Sequence, residues 1–104
     1  MARKDLQVVI SRRQETVTVA LAGEAHFDFA ASDEHIQKVL AHKPKKVLVD
    51  AGELTFISSV GMCFLINLRR AVREAGGNVK LRGLQPRVRK VMEQAQVIGL
   101  FEVE

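Results

Sequence analysis

Residues 54–66 read LTFISSVGMCFLI, and this stretch decides the fold because an apolar strand runs through two serines directly into an apolar helix. Ser58 and Ser59 therefore stand at a predicted helix N-terminus, where main-chain N–H groups lack intrahelical partners and the helix dipole is positive. Serine is a preferred N-cap residue, so simple capping is one explanation of the pair. The same position stabilises an anion, so a serine that accepts a phosphoryl group is the other hypothesis.

The helix after the serines carries more apolar residues than one core stripe needs. Its predicted core stripe follows helical spacing and comprises Gly61, Phe64, Leu65, Leu68, Ala71, Val72 and Ala75. Met62 and Ile66 then fall on the face of two later arginines, so we predict an exposed apolar docking patch beside the serines. The alternative is that a neighbouring loop covers both side chains. We predict Cys63 to be a small packing residue and not a nucleophile.

Strands and helices alternate on either side of this stretch. The predicted strands are Leu6–Ile10, Thr16–Leu21, Val47–Val49, Asn78–Leu81 and Leu100–Val103, and the predicted helices are Ala30–His42, the helix from the serines to Ala75, and one that begins at Pro86. The polar link from Ser11 to Glu15 makes the first two strands an antiparallel hairpin, and Asp50 and Gly52 end the third strand. We therefore predict an α/β fold: a mixed sheet, with an antiparallel N-terminal hairpin plus parallel strands, flanked by α-helices.

The composition is that of one small globular domain. The chain has 104 residues, of which 47% are hydrophobic and 27% charged, so we predict a single domain over residues 1–104. No apolar leader follows Met1 and no stretch approaches the length of a membrane span, so we expect a cytoplasmic protein with no membrane insertion. The net charge of +4 suggests nucleic acid, but the absence of Trp and Tyr disfavours that partner.

Groups that could carry catalysis are sparse. The histidines His26, His35 and His42 lack metal-ligand spacing, and neither a Gly-x-Gly-x-x-Gly nor a Gly-Lys-Ser/Thr phosphate loop is present. Sequence order also gives no Ser, His and acid combination. We therefore predict a protein that is not an enzyme, with no catalytic residues, no metal site and no cofactor.

Motifs along nearly the whole chain resemble those of the STAS domain, which bacterial anti-sigma factor antagonists and the cytoplasmic tails of sulfate transporters share. The stretches that carry the resemblance are residues 17–24 (VTVALAGE), 47–50 (VLVD), 54–62 (LTFISSVGM), 70–71 (RA), 76–77 (GG), 81–84 (LRGL) and 86–91 (PRVRKV). The 54–62 stretch and the Gly83-Leu84-x-Pro86-x-Val88 pattern are together the most specific part.

The resemblance implies a phosphoswitch. In the family, a kinase that is also the anti-sigma factor phosphorylates the serine at the position of Ser59, unmodified antagonist binds that kinase, and a serine phosphatase resets the switch. The implied partner-binding residues are Asp28, Ser58, Val60, Gly61, Met62 and Ile66. Ser58 stands where an Asp commonly precedes the acceptor, and His26 replaces a common acidic residue. Ser58 is thus an alternative acceptor, and a constitutive interaction module without a phosphoswitch is an alternative function.

Two other functions are compatible with the resemblance. One is a STAS subunit that binds and regulates a membrane transporter. The other is a STAS domain that binds a nucleotide or a lipid.

Overall fold

The structure of the chain is a computed structural model that describes residues 7–25 and 29–104, with the backbone alone described for residues 25 and 29–32. In chain order its elements are β1 (Gln7–Arg13), β2 (Thr16–Ala25), α1 (Phe29–Ala41), β3 (Lys46–Ile57), α2 (Ser59–Glu74), β4 (Asn78–Arg82), α3 (Pro86–Gln94), a 3₁₀ turn (Ile98–Leu100) and β5 (Glu102–Val103). The strands form one five-stranded sheet in the order β1-β2-β3-β4-β5.

The sheet is mixed, as the sequence predicts. β1 pairs with β2 in an antiparallel hairpin, whereas β2, β3, β4 and β5 are mutually parallel. Each parallel connection advances by one strand in the same direction through a helix. Because such crossovers are right-handed, α1, α2 and α3 all lie on the same face of the sheet. We call this the helix face and the opposite side the open face.

The core lies between the helix face and the helices. Successive side chains of a strand point to opposite faces, so Val17, Val19 and Leu21 of β2 are buried while the intervening residues are half-buried. Their neighbours on β3 and β4 follow the same pattern. The helices contribute these buried side chains: Ile36, Val39, Met62, Phe64, Leu65, Leu68, Val72, Val88 and Met92. One hydrophobic cluster therefore joins all three helices to the sheet.

Strand β3 is much longer than predicted, which is the main correction to the fold. Asp50 and Gly52 do not end it, because β2 continues to pair with β3 as far as Ile57. The register shifts twice, so β3 contributes an extra residue between Asp50 and Glu53 and again at Thr55. Each such bulge shifts by one residue the positions of β3 whose side chains point into the core. The strict alternation that sequence analysis detects is lost, although the strand continues.

Other element ends differ by a few residues. β1 continues through Arg13, so the hairpin turn contains only Gln14 and Glu15 and the predicted link from Ser11 is too long. α2 ends at Glu74, one residue before the predicted end, and Gly76 then adopts a φ of +91°, the left-handed conformation typical of a helix C-terminus. Ala75 follows α2 and is exposed, so its predicted burial is wrong.

The last strand is shorter than predicted. β5 comprises only Glu102 and Val103, because the 3₁₀ turn occupies the residues up to Leu100. Among residues 7–25 and 29–104, no helix has the length and apolar character needed to span a membrane.

Candidate functional site

The two serines have different roles at the start of α2. Ser58 is the N-cap residue, with φ −95° and ψ 177°, and its hydroxyl oxygen accepts a hydrogen bond from the Gly61 N–H at 3.3 Å. Its carbonyl accepts from the Met62 N–H at 2.9 Å. Ser59 is the first helical residue and is exposed. Capping therefore explains Ser58 and leaves the Ser59 hydroxyl accessible to solvent.

The electrostatics around Ser59 favour an added negative charge. The first turn of α2 contains no acidic residue, so no side chain of that turn neutralises the positive end of the helix dipole. A phosphoryl group on Ser59 would carry about −1.5 to −2 charges at that end. Phosphorylation at this position is therefore compatible with an intact helix.

The predicted docking patch is corrected by the burial of Met62. Its side chain is only 7% exposed and belongs to the core cluster, while Ile66 is half-buried against that cluster. No loop is needed to explain this, because the extension of β3 supplies Leu54 and Ile57 to the same cluster. The core therefore reaches the first turn of α2, which sequence periodicity alone does not show.

Cys63 is the second correction on this helix. It is exposed, not packed as predicted, and it lies four residues after Ser59. Residues at that spacing share one helix face. The exposed side of the first turns therefore presents Ser59 and Cys63, with Val60 half-buried and Gly61 buried.

Phe56 is an apolar surface residue near the serines that sequence reasoning missed. It is 38% exposed and lies two residues before Ser58. The bulge at Thr55, whose hydroxyl donates to the Gly23 carbonyl at 3.1 Å, separates buried Leu54 from Phe56. This bulge puts Ile57 instead of Phe56 in the core. The signal in the sequence is the spacing of Ala51, Leu54 and Ile57, three residues apart instead of two.

A polar network holds the β4–α3 turn against the extended part of β3. Asp50 Oδ1 accepts from the Gly52 N–H at 3.1 Å, and Arg82 Nη2 donates to Asp50 Oδ2 at 3.0 Å. Gln85 Nε2 donates to the Gly52 carbonyl at 2.9 Å. We call these four residues the Asp50 network. The Gly52 N–H and then the Arg82 guanidinium lower the pKa of Asp50 below its usual value.

The network acts where regular pairing stops. Asp50 and Arg82 are the last paired residues of β3 and β4, so the β3 residues beyond them have no β4 partner. Gly83, with φ +76°, passes so close that a Cβ there would lie 3.2 Å from the Gly52 backbone. The turn thus supports the strand that leads to the serines.

Asp28 and His26 lie outside the described residues, so the docking role of Asp28 remains a prediction. Within residues 7–25 and 29–104, no group of three or more His, Cys, Asp or Glu side chains could hold a metal ion.

Comparisons with known proteins agree with this architecture. The sequence profile of a STAS domain family, described as "Mlab, STAS domain", matches residues 8–102. BtrV of Bordetella bronchiseptica, which is named as an anti-sigma factor antagonist, is 30% identical in an alignment 78 residues long that covers 71% of this chain and 67% of BtrV.

Solved structures share the fold at low identity. An anti-sigma factor antagonist from Mycobacterium paratuberculosis superposes with a TM-score of 0.78 at 19% identity, over 95% of this chain and 85% of that chain. The Bacillus cell fate determinant SpoIIAA in its phosphorylated form superposes with a TM-score of 0.66 at 20% identity, over 96% of this chain and 91% of that chain.

A structure from the transporter branch is also similar. A sulfate transporter family protein from Wolinella succinogenes gives a TM-score of 0.71 at 18% identity, over 88% of this chain and 77% of that chain. The match of the family profile to residues 8–102 and the identity with BtrV place the sequence in one group: this chain belongs to the STAS domain family, in its anti-sigma factor antagonist group.

Proposed function

We propose that this chain is a cytoplasmic, non-enzymatic anti-sigma factor antagonist, formed by a single STAS domain, that switches partners by phosphorylation of Ser59. The observation that carries the proposal is that the two serines occupy different structural positions. The Ser58 hydroxyl caps α2, whereas Ser59 is exposed at the first position of the same helix. The similarity to BtrV and to phosphorylated SpoIIAA supports it.

The partner is an anti-sigma factor that is also a serine protein kinase. It transfers the γ-phosphoryl group of ATP to Ser59 Oγ, so that the Oγ–P bond forms, the bond to ADP breaks and the hydroxyl proton is lost. A serine phosphatase reverses the modification. In the unmodified state the kinase contacts a neutral hydroxyl together with exposed apolar surface.

Phe56 supplies that apolar surface in place of Met62. Its exposed ring lies two residues before Ser58 in the chain, whereas Met62 is buried. Partly exposed aromatic side chains are frequent anchors of protein interfaces. A phosphate at Ser59 would add charge beside this contact, and desolvating that charge would weaken binding.

Phosphate incorporation into serine variants tests the proposal. The kinase is captured from the source organism with wild-type protein, purified and incubated with ATP and each variant. We expect incorporation into wild type and Ser58→Ala and none into Ser59→Ala, which removes only an exposed hydroxyl. Undiminished incorporation into Ser59→Ala would contradict the assignment, and loss of incorporation from Ser58→Ala instead would favour Ser58 as acceptor.

Affinity capture with a second bait, the Ser59→Asp variant, distinguishes the transporter alternative from the proposed phosphoswitch. Ser59→Asp introduces negative charge at the start of α2, so the proposed switch predicts loss of the kinase from this bait. If wild type and Ser59→Asp retain the same transporter subunit equally, the chain is a transporter adaptor. If both retain the same kinase equally, it is a constitutive interaction module.

A further inference from the structure

The two edges of the sheet differ in how well they are protected from pairing with another chain. β5 forms one edge and has only two residues, whereas β1 forms the other edge with seven. Short strands, prolines and bulges are the usual devices that block an edge strand. β1 contains no proline, and its register with β2 runs without a bulge from Gln7 to Arg13. Within the described residues, β1 is therefore the edge that is open to a further strand.

The hairpin geometry determines which main-chain groups of β1 point outward. Arg13 and Thr16 flank a two-residue turn, so they exchange main-chain hydrogen bonds with each other. Such pairs alternate along an antiparallel ladder, so every second residue counted back from Arg13 also bonds to β2. The N–H and C=O groups of Val8, Ile10 and Arg12 point away from β2. No other main-chain hydrogen bond among the described residues uses these outward groups.

An apolar run occupies the middle of this edge. Val8 and Ile10 stand opposite buried residues of β2, so they lie on the helix face, where both are half-buried against the core cluster. Val9 points to the open face and is 61% exposed, with the small side chain of Ala20 beside it on β2. A second strand along β1 would therefore bury apolar side chains on both faces of the sheet.

The order of residues in this run is symmetric about Val9. Residues 7–11 read QVVIS, with an apolar residue on each side of Val9 and a polar residue beyond each of these. In an antiparallel pair of two copies centred on Val9, the two Val9 side chains stand opposite each other. Val8 then stands opposite Ile10 of the second copy, and Gln7 opposite its Ser11. The outward groups of Val8 and Ile10 thus meet as hydrogen-bonded pairs on both sides of the two-fold axis.

The charges of β1 are compatible with this register. Arg12 and Arg13 are its charged residues and lie at one end, so an antiparallel pair puts the arginines of the two copies at opposite ends. Arg12 Nε also donates to the Gln14 carbonyl at 2.9 Å, which directs the guanidinium toward its own turn. The two Arg12 residues would lie about 20 Å apart along the strands, beyond the Debye length of about 8 Å at physiological ionic strength.

We propose that β1 is a dimerisation edge, where a second copy of this chain pairs in antiparallel register about Val9 and joins the two sheets into one. The symmetric order of the apolar run and the separation of the arginines favour a second copy over a strand of another protein. β2 lies between β1 and β3, the strand that leads to the serines, so both Ser59 hydroxyls stay accessible in the dimer. The pairing does not depend on phosphorylation of Ser59.

Sedimentation equilibrium of the full chain measures self-association. We expect a weak monomer–dimer equilibrium, because a short ribbon of paired strands buries little surface. Val9→Lys puts two ammonium groups opposite each other at the two-fold axis and should raise the dimer dissociation constant at least about tenfold. The matched control is Leu100→Lys, which changes an apolar residue that is 43% exposed in the 3₁₀ turn before β5 and should leave the constant unchanged.

Disulfide trapping tests the register without relying on charge. The Cys63→Ala background removes the exposed thiol of the chain. In that background, Val9→Cys puts two thiols directly opposite each other, within the Cα separation that a disulfide requires, so a mild thiol oxidant should link the copies. Ser11→Cys in the same background is the control, because two Ser11 residues would lie about 14 Å apart.

Much faster trapping by Val9→Cys than by Ser11→Cys would support the proposal, as would weaker association of Val9→Lys alone. Equal trapping rates for the two cysteine variants would overturn the register, and equal effects of Val9→Lys and Leu100→Lys would overturn the edge. A wild-type chain that is monomeric at every concentration would also overturn the proposal and leave β1 to a strand of a different protein.

Discussion

Arg82 Nη2 lies 3.0 Å from Asp50 Oδ2 at the last residue pair shared by β3 and β4. The other oxygen of Asp50 accepts the Gly52 N–H, so one carboxylate joins the end of β4 to the first bulge of β3. This is the point beyond which β3 continues to the serines without a β4 neighbour. The contact therefore links the stability of the fold to the position of the candidate site.

Replacing Asp50 by Asn should lower the free energy of unfolding in a pH-dependent manner. Asn keeps an acceptor for the Gly52 N–H but loses the charge that faces Arg82. Because both side chains are more than a third exposed, the loss at neutral pH should be at most about 1 kcal/mol. The pKa of Asp50 is lowered in the fold, so this stabilisation is complete above its usual pKa of 3.8 and is lost as the pH falls through the folded-state pKa.

Urea unfolding of wild type and Asp50→Asn at neutral pH and through the acid range measures this difference. The two free energies should converge at low pH. Glu53→Gln removes an exposed carboxylate of the same strand and serves as the control. A wild-type-to-Asn difference that stays constant across the acid range would show that the charge of Asp50 does not contribute.

Alanine at each serine should separate capping from surface exposure. Ser58→Ala removes the acceptor of the Gly61 N–H and should lower the free energy of unfolding by about 1 kcal/mol. Ser59→Ala removes an exposed hydroxyl and should change it by less than about 0.5 kcal/mol. Denaturant midpoints of the two variants, measured side by side, check that Ser58→Ala is the more destabilising. An equal loss of unfolding free energy for both would refute the assigned roles.

Burial at the start of α2 predicts that alanine substitutions at the adjacent residues Met62 and Cys63 differ sharply in their effect on stability. Met62→Ala empties a site that is 7% exposed and should cost about 2–4 kcal/mol of unfolding free energy. Cys63→Ala changes an exposed side chain and should alter it by under about 0.5 kcal/mol. Thermal and urea unfolding measure both. A small effect of Met62→Ala would instead support the exposed docking patch predicted from the sequence.

Local signals in the sequence predict much of the fold. The alternation of Val17, Val19 and Leu21 identifies β2, and the short polar turn identifies the antiparallel hairpin. Cap and breaker residues locate the ends of helices, as Ser58 and Gly76 do for α2. These signals depend on the backbone conformation of a few neighbouring residues, so they can be recognised without the rest of the fold.

The missed features depend on pairing between distant segments. Gly52 resembles a strand end in the sequence, but β2 continues to pair beyond it and Gln85 binds its carbonyl. The two bulges move Phe56 outward and extend the core beneath Met62. The start of the candidate site is therefore predictable from the sequence, whereas the exposure of its apolar residues requires the tertiary structure.

Close packing behind α2 predicts that one glycine tolerates no side chain. A Cβ at Gly77 would lie 2.8 Å from the Pro44 carbonyl oxygen and 2.8 Å from Val72 Cγ1, so Gly77→Ala should cost about 2 kcal/mol or more. Gly99 has open space and no positive φ, so Gly99→Ala should change the free energy of unfolding by less than about 1 kcal/mol. Urea unfolding of both variants measures the contrast, and equal effects would argue against the tight loop contact.

Phe56 should contribute to partner binding far more than to stability, if the proposed antagonist function holds. Phe56→Ala removes a ring that is 38% exposed, so the loss of unfolding free energy should be small beside that of a core aromatic residue. Its loss from the centre of an interface should weaken binding of the captured kinase by about 2 kcal/mol, roughly thirtyfold. Val9→Ala is the matched control, because Val9 is 61% exposed on edge strand β1, away from the serines. Calorimetric titration of the kinase into wild type and both variants measures the affinities. Unchanged affinity of Phe56→Ala would exclude this ring from the interface, and an equal loss for Val9→Ala would show that the interface extends to β1 and is not confined to the region beside Ser59.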